Sequence, residues 1–446
     1  MNINLIDDYK SFLSYCKTER ECVSRIIEMA HDHGFKNFDD LKTIKSGDKF
    51  YFQKMNKIIA LFIIGNKNIE QGMNILGGHI DSPRLDAKPN PLYEKDFLVY
   101  LDTHYYGGIK KYQWVTLPLA IHGIICKKDG TVVNVCIGEA IEDPVFVISD
   151  ILPHVGQKQM SKLASEFIPG EILDVIVGSG KYSKEASKSE NKEAIKHNIL
   201  NILKESYNIE EEDLISAELE IVPAGPARSC GFDKSLVLGY GQDDKACSYT
   251  SARALIESEP YHITQVCLCT DKEEIGSVGA TGMNSHFFEN IMAEVINKIE
   301  NNNGELSLRR ALANSNMLSS DVNSAYDPLN TDLYDRNNSS FLGGGLVLNK
   351  YTGSRGKSGG SDANPEFIAK LRKIFDEDKI SYQMSELCKV DNGGGGTIAY
   401  MAAKYGMNVI DAGISVMSMH APWELTNKFD IEQAYNAYKC FLTKIS

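Results

Sequence analysis

This chain of 446 residues has no excess of positive charge, no long hydrophobic run and no cysteine pairs at metal-finger spacing. Lys and Arg number 47 against 60 Asp and Glu, and the net charge of −13 argues against nucleic acid or an anionic membrane surface as the main partner. The longest apolar run, residues 58–64, is far too short to span a bilayer. The opening MNINLIDDYK lacks the basic region and apolar core of a secretion signal.

Two other kinds of site are also disfavoured by what the sequence lacks. The ten cysteines are scattered, with Cys267 and Cys269 on one face of a predicted strand, and reduced cysteines in a cytoplasmic protein are the simplest explanation. The glycine clusters at 343–345 and 393–396 lack the lysine and hydroxyl spacing of a P-loop. We therefore do not expect a metal finger or a nucleotide site.

The N-terminal part of the chain shows both helix and strand patterns. Residues 20–33 carry apolar side chains at helical spacing and end at Gly34, a good helix C-cap. Residues 50–52, 57–64 and 73–78 read as strands separated by turns. The fold class predicted from these patterns is α/β.

A central part of the chain interrupts this pattern. From about residue 91 to 220, β-rich pieces alternate with turns and lack the strand-helix rhythm that resumes later. Within it, residues 181–213 are so polar that a solvated loop or loosely held helix is expected. We predict an α/β domain made of residues 1–92 and 223–446, with residues 93–222 as a β-rich insertion.

The sequence GGHIDSP at 77–83 ends an apolar run with a histidine, which an aspartate follows two residues later. On an extended segment, residues two apart point the same way, so the Asp81 carboxylate can reach a ring nitrogen of His79 and fix its tautomer. This prepares a histidine to bind a metal, although a buried histidine with a local hydrogen bond has the same pattern. The carboxyl end of a strand is where open α/β sheets bind ligands.

Two pairs of acids stand at similar positions. Asp243 and Asp244 precede a predicted helix, 246–256, where the helix dipole favours negative charge in any protein. Glu273 and Glu274 follow a β-rich run, and adjacent carboxylates on a loop point in different directions. One of them can then bind a metal while the other faces a substrate water. A solvated acidic turn is the alternative.

Two further strand ends complete the pattern. Asp321 closes the short segment MLSSD, and His420 ends the run 408–419 and is followed by APWE. The strand-end positions thus supply two imidazoles and three carboxylates, a set that makes two equivalent sites when one carboxylate is shared. Such a set suits a pair of zinc ions, and its members are His79, Asp243, Glu274, Asp321 and His420.

In this order the motifs resemble those of the dinuclear zinc aminopeptidases, and specifically the bacterial cytoplasmic branch of the aspartyl aminopeptidase family. The similarity covers essentially the whole chain, including the insertion. The motifs that carry it are HIDSPRLDAKPNP from His79, YGG at 106–108, ILPH from Ile151, DKEEIGS from Asp271 and DNGGGGT from Asp391. Each motif is weak alone, and the combination is specific.

The resemblance implies a fold, an assembly and an activity. The fold is a zinc-exopeptidase-like α/β domain, a mixed sheet flanked by helices, interrupted by a β-rich dimerisation domain, and dimers would build a dodecamer. The activity is removal of the N-terminal residue from peptides by a cytoplasmic metalloprotease. Two zinc ions per subunit are implied, with cobalt or manganese as substitutes.

The resemblance also implies a role for each candidate residue. His79 and Asp321 would bind one zinc ion, Glu274 and His420 the other, and Asp243 would bridge them. Such a site lowers the pKa of a water toward neutrality.

Three more residues receive roles from the same resemblance. Asp81 would orient His79, and Glu273 would be the general base that takes a proton from the attacking water and returns it to the leaving amine. His154, in ILPH, matches a histidine that enters the active site of the neighbouring subunit. Because five ligands already satisfy two zinc ions, a role in the substrate pocket is preferred over metal binding.

Three questions stay open. The family's usual Asp-Asn pair is Asp243-Asp244 here, so either carboxylate can bridge, and the first is favoured. The segment 350–360 differs from that of strictly acid-specific members, so a preference for Asp and Glu or for neutral residues such as Leu is undecided; the basic residues that could face an acidic side chain are Lys350, Arg355, Lys357 and Lys389. A deacylase or carboxypeptidase of the same metal clan, or a non-catalytic oligomeric shell protein, is the alternative function.

Overall fold

The computed structural model describes residues 3–181, 193–300 and 304–445. Its α-helices are α1 (Ile3–Tyr15), α2 (Glu19–His31), α3 (Gln157–Met160), α4 (Ala164–Phe167), α5 (Ala194–Tyr207), α6 (Gln242–Ile256), α7 (Phe287–Glu300), α8 (Glu305–Ala313), α9 (Pro365–Glu377), α10 (Ala399–Ala403) and α11 (Lys428–Lys444).

The strands of the first half are β1 (Lys36–Asn37), β2 (Lys49–Lys54), β3 (Ile58–Ile63), β4 (Met73–His79), β5 (Arg84–Lys95), β6 (Leu98–Tyr106), β7 (Leu119–Cys126), β8 (Val132–Ile137), β9 (Val175–Ser179) and β10 (Ala217–Pro223). Those of the second half are β11 (Arg228–Cys230), β12 (Leu236–Gly239), β13 (Thr264–Thr270), β14 (Asn316–Ser319), β15 (Asn323–Ser324), β16 (Leu346–Asn349), β17 (Tyr382–Ser385), β18 (Asn408–Gly413), β19 (Ser415–Met417) and β20 (Glu424–Asn427).

The chain divides into two compact units. The first comprises Met1–Ser82, Ala227–Met419 and Trp423–Ser446, and the second comprises Pro83–Pro226 and His420–Pro422. No helix in the described ranges combines the length and apolar character that crossing a membrane requires.

The first unit is built on a mixed sheet of nine strands in the order β1-β2-β3-β13-β4-β14-β18-β16-β17. Strand β4 pairs in parallel with β13 on one side and with β14 on the other, while β3 runs antiparallel to β13. A second, smaller sheet in this unit has the order β11-β12-β20-β19-β15. The predicted α/β class, with a mixed sheet between helices, is confirmed.

Side chains of the nine-stranded sheet alternate between two hydrophobic clusters. On β3, Leu61 packs into a cluster with residues of α1, α2, α6 and α11, whereas its neighbour Phe62 packs into another with residues of α7 and α10. Since successive strand residues point to opposite faces, helices cover both faces of the sheet. This is why β3 and β4 are entirely buried, with β3 apolar throughout and Asn74 and His79 as the polar residues of β4.

Helix α2 illustrates how local sequence sets an element's limits. The Thr18 hydroxyl accepts from the backbone N–H of Glu21, and the Glu21 side chain accepts from the backbone N–H of Thr18, which forms a capping box. The helix ends at His31, slightly before the predicted end, and Gly34 follows in the left-handed region at φ +82°. The predicted helix is confirmed with these limits.

The predicted run 408–419 is two strands rather than one. Strand β18 belongs to the nine-stranded sheet and ends at Gly413, β19 belongs to the smaller one, and Ile414 separates them. A Cβ on Gly413 would stand 1.8 Å from the carbonyl oxygen of Asp321, so the close approach of these two backbones requires glycine. Apolar periodicity does not report such a change of sheet.

The second unit contains a six-stranded antiparallel sheet in the order β8-β7-β10-β5-β6-β9. In the polar segment predicted as a loop or loosely held helix, residues 194–207 form α5, which has no buried residue. Residues 182–192 of that segment lie outside the described part of the chain. Several large apolar side chains of this unit are exposed, among them Ile141, Val155, Met160 and Leu163.

Candidate metal centre

Three predicted site segments meet at one edge of the nine-stranded sheet. The parallel pairing sets His79 at the end of β4 beside Thr270 of β13, and Ser319 of β14 beside Gly77. Since the carboxyl ends of parallel strands lie at the same edge, the residues that follow β13 and β14 lie near His79. These residues include Glu273, Glu274 and Asp321.

His79 is buried, with acidic groups at both ring nitrogens. Its Nδ1 lies 3.1 Å from the carbonyl oxygen of Asp81 and 3.3 Å from Oδ1 of the same residue. Its Nε2 lies 3.2 Å from Oδ1 of Asp243. Burial opposes the charged imidazole, but the hydrogen bonds with Asp243 and Asp81 raise the pKa of His79 well above its usual value. A cation beside Asp243 would replace the Nε2 proton, and His79 would then bind it through the Nε2 lone pair while its Nδ1 proton stays directed at Asp81.

The Asp81 carboxylate also fixes the loop that carries the two glutamates. Its Oδ1 accepts the backbone N–H of Glu273 at 3.1 Å, and its Oδ2 accepts that of Glu274 at 3.3 Å. The same buried carboxylate therefore sets the orientation of His79 and the position of the Glu273-Glu274 loop. The Glu273 Oε2 lies 4.0 Å from Nε2 of His79.

The two carboxylates of the Asp243-Asp244 pair, which are joined by a cis peptide bond, face different groups. Asp243 faces the His79 ring, whereas the Oδ2 of Asp244 accepts the backbone N–H of His79 at 3.2 Å. The Oδ1 of Asp244 is buried and has no hydrogen-bond partner among the described residues. Burial, and then repulsion from Asp243, raise the pKa of Asp244 well above its usual value.

Asp321 completes a set of three potential ligands. One ligand atom each of His79, Asp243 and Asp321 lies within 4.8 Å of the other two. Burial and then the nearby Asp244 carboxylate raise the pKa of Asp321 well above its usual value. A buried imidazole and several carboxylates that repel one another fit a divalent cation, and this mixture of nitrogen and oxygen donors suits zinc.

Three residues that hold Asp243 in place were not identified from the sequence. Oε2 of Glu424 accepts the backbone N–H of Asp243 at 3.0 Å, and the Ser82 hydroxyl donates to the Asp243 carbonyl oxygen at 2.8 Å. The Lys245 ammonium donates to Ser82 Oγ at 2.7 Å. Ser82 and Glu424 stand inside the quoted motifs and Lys245 directly follows the Asp243-Asp244 pair, and these positions were the only signal that could have found them.

Two predicted site residues belong to the second unit. His420 has φ +63°, and its Nδ1 lies 2.9 Å from the carbonyl oxygen of Gly108 in the same unit. His154 is exposed in the short 3₁₀ turn Pro153–Val155. The roles predicted for these two histidines stay predictions.

Comparison with known proteins gives a consistent result over the full length of the chain. Residues 12–442 match the model of the aminopeptidase I zinc metalloprotease family (M18). A probable M18 family aminopeptidase 1 of Clostridium acetobutylicum is 54% identical over 440 residues, which are 98% of this chain and 94% of that protein.

Two solved structures extend the comparison. The crystal structure of an M18 family aminopeptidase of Thermotoga maritima has a TM-score of 0.95 and 40% identity, and covers 100% of this chain and 98% of the other. The mApe1 dodecamer of S. cerevisiae has a TM-score of 0.75 and 21% identity over 98% and 95% of the two chains. The second likeness shows the fold alone.

Proposed function

Because this chain belongs to the M18 family of zinc metalloproteases and is a hydrolase of the aminopeptidase class, we propose that it uses two zinc ions and Glu273 to remove the N-terminal residue of peptides. The observation that carries this proposal is the meeting of His79, Asp243 and Asp321 beside the Glu273 loop. Cobalt or manganese could replace zinc at the same donors.

The proposed ligand assignment follows the order of the motifs. His79 and Asp321 would hold one zinc ion, Glu274 and His420 the other, and Asp243 would bridge. The choice of Asp243 over Asp244 is supported by their contacts, since Asp243 faces the His79 ring nitrogen.

The chemistry divides between the metal and the protein. Bound zinc supplies Lewis acidity and lowers the pKa of a water to near neutrality. Glu273 accepts the proton of the attacking water and returns it to the leaving amine, and Asp81 holds the backbone of the Glu273 loop while it does so. Asp81 also orients His79.

The substrate is a peptide with a free N-terminus, whose first residue is acidic or neutral. Lys357 already lies 3.6 Å from the centre of the Tyr351 ring and 3.9 Å from Asp362, which favours a structural role for that lysine. Family membership favours an aminopeptidase over a deacylase, a carboxypeptidase or a non-catalytic shell protein.

The proposed assembly is a dimer of which several copies build a dodecamer, with the second unit as the dimerisation domain. Exposed apolar side chains such as Met160 and Leu163 support a further copy of the chain as the partner of this unit. His154 would reach the substrate pocket of the neighbouring subunit. A cytoplasmic location stays a prediction.

The test is a Glu273→Gln variant assayed on aminoacyl anilides with a panel of N-terminal residues, with and without chelator. Loss of the general base should lower kcat about 10²- to 10⁴-fold, with zinc content per subunit unchanged. Chelator should abolish wild-type turnover, and added zinc should restore it. The same panel measures the preference for acidic or neutral residues.

Glu305→Gln is the matched control, because Glu305 is an exposed glutamate whose Oε1 pairs with Arg309 at 2.6 Å. Its turnover should equal that of the wild type. Wild-type turnover in Glu273→Gln would contradict the base assignment, and a stoichiometry of one zinc ion per active subunit would contradict the paired site.

A further inference from the structure

Lys245 is a fully buried lysine next to the metal centre. Its side chain has no exposed surface, and its ammonium forms no salt bridge with a carboxylate of the described residues. The contacts it does make are a hydrogen bond to Ser82 at 2.7 Å and an approach to 5.1 Å from the centre of the Tyr240 ring. Burying an ammonium without a carboxylate partner costs free energy, which suggests that Lys245 is kept there for a functional role.

The direction of each hydrogen bond follows from the chemistry of the groups. A lysine ammonium only donates, so the Ser82 oxygen must accept from it. The single hydroxyl hydrogen of Ser82 is then left for the Asp243 carbonyl oxygen, 2.8 Å away. A charged donor also polarises the hydroxyl and strengthens the second bond of the chain.

The main chain at Asp243 is therefore held on both sides. The Lys245–Ser82 pair holds its carbonyl oxygen, and Glu424 accepts its N–H at 3.0 Å. Fixed peptide groups limit the rotamers open to the Asp243 side chain. In the observed rotamer its Oδ1 lies 3.2 Å from His79 Nε2.

The lack of a side chain at Gly241 makes space for the Lys245 ammonium. Gly241 has φ +68°, and a Cβ there would stand 2.4 Å from Nζ of Lys245 and 2.8 Å from Oγ of Ser82. The backbone N–H of Lys245 bonds to the Gly241 carbonyl oxygen at 3.3 Å, so the first turn of α6 folds the lysine back over this glycine. The sequence of the turn and the placement of the ammonium thus depend on each other.

We propose that Lys245 and Ser82 form a positioning relay that holds the bridging carboxylate of Asp243 for the metal, and this rests on the proposed function. Lys245 acts through Ser82 and touches neither metal nor substrate. Loss of a group that orients a metal ligand typically weakens metal binding about 10- to 100-fold. Loss of the relay should therefore lower metal affinity more than it lowers the stability of the metal-free fold.

The experiment compares full-length wild type, Lys245→Met, Ser82→Ala and the double variant. Zinc affinity is measured by competition with a chromophoric chelator, and the visible absorption of the cobalt-loaded protein reports ligand geometry. Urea unfolding of the chelator-stripped protein reports fold stability. Each single variant should bind zinc about 10- to 100-fold more weakly with an altered cobalt spectrum, and the double variant should be no weaker than the weaker single variant.

Lys428→Met is the matched control, because Lys428 is also a buried lysine that donates to a serine hydroxyl, Ser229 at 2.8 Å. It should lower fold stability without changing zinc affinity. Single-variant effects that multiply in the double variant would show that Lys245 acts by charge alone and would overturn the relay. Zinc affinity within twofold of wild type in Lys245→Met would do the same.

Ser82→Ala decides the question if Lys245→Met does not fold, since it removes one oxygen from the relay and leaves the lysine in place. Wild-type zinc affinity in Ser82→Ala would then overturn the proposal. A wild-type protein that binds no zinc would instead contradict the proposed function, so the two failures are distinguishable.

Discussion

Asp430 shows how a single buried carboxylate links folding to pH. It lies in the first turn of α11, where its oxygens accept the backbone N–H groups of Gly343 at 2.8 Å and Gly345 at 2.7 Å. Burial raises its pKa from 3.8 to about 7, although the two N–H groups oppose the shift. The glycine-rich turn before β16 is thus tied to a group that titrates near neutrality.

The raised pKa predicts a stability that falls as pH rises. Between about pH 4 and pH 7 the unfolded chain ionises Asp430 while the folded protein keeps it protonated, so ionisation favours unfolding through this window. In Asp430→Asn this term is absent. The unfolding free energy of wild type minus that of the variant should therefore decrease from pH 5 to pH 8 by about 3 kcal/mol.

Urea unfolding of chelator-stripped protein at several pH values measures this difference and keeps metal release out of the pH slope. Asp362→Asn serves as control, because Asp362 is exposed and lies 3.9 Å from Lys357. Its unfolding free energy should depend on pH in the same way as that of the wild type. Parallel curves for wild type and Asp430→Asn from pH 5 to pH 8 would show that Asp430 does not titrate in this range.

At the scale of the element, one face of strand β4 adjoins the metal centre and the opposite face packs in the apolar core. A Cβ on Gly78 would meet Oδ2 of Asp244 and the carbonyl oxygen of Ser320, both at 2.8 Å. A Cβ on Gly77 would meet the flexible end of Met317, its Cε atom, at 2.3 Å. One glycine faces the metal centre and the other faces the apolar core.

This contrast predicts different effects for two equal substitutions. Gly78→Ala must displace Asp244 and the backbone just before Asp321, so zinc affinity should fall at least tenfold and stability by about 1–3 kcal/mol. Gly77→Ala should cost stability in the same range while zinc affinity stays within twofold, because only Met317 needs to move. Chelator competition and urea unfolding measure both quantities, and equal zinc affinities would refute the assignment of faces.

Sequence periodicity predicted the strands well where burial is continuous, as in β3 and β4, because a strand buried on both faces is rich in apolar side chains, although β4 also buries Asn74. It placed His79 at a strand end for the same reason. The five-stranded sheet was not predicted. The contacts of Asp243 with Ser82 and Glu424 were not predicted either, since these residues are 161 and 181 positions away from it in the sequence. A hydrogen bond between distant backbone and side-chain groups leaves no period in the sequence.

At the scale of the whole molecule, the proposed assembly makes a claim about which subunit completes an active site. If His154 enters the pocket of the neighbouring subunit, each site of a two-fold dimer combines Glu273 of one chain with His154 of the partner subunit. His154 is exposed in the described structure, as a residue that acts outside its own subunit must be. In a mixed dimer of a Glu273 variant and a His154 variant, both substitutions then fall in the same site, and the other site is intact.

Complementation tests this arrangement directly. We expect His154→Ala and Glu273→Gln each to be inactive alone, and their co-expressed mixture to recover about a quarter of wild-type activity, because half of randomly paired dimers are mixed and each holds one intact site of two. Mixing the two variants after separate assembly is the control and should give no recovery while subunits do not exchange. An inactive co-expressed mixture would place both groups in the same chain's site, whereas an active His154→Ala variant would remove His154 from the reaction.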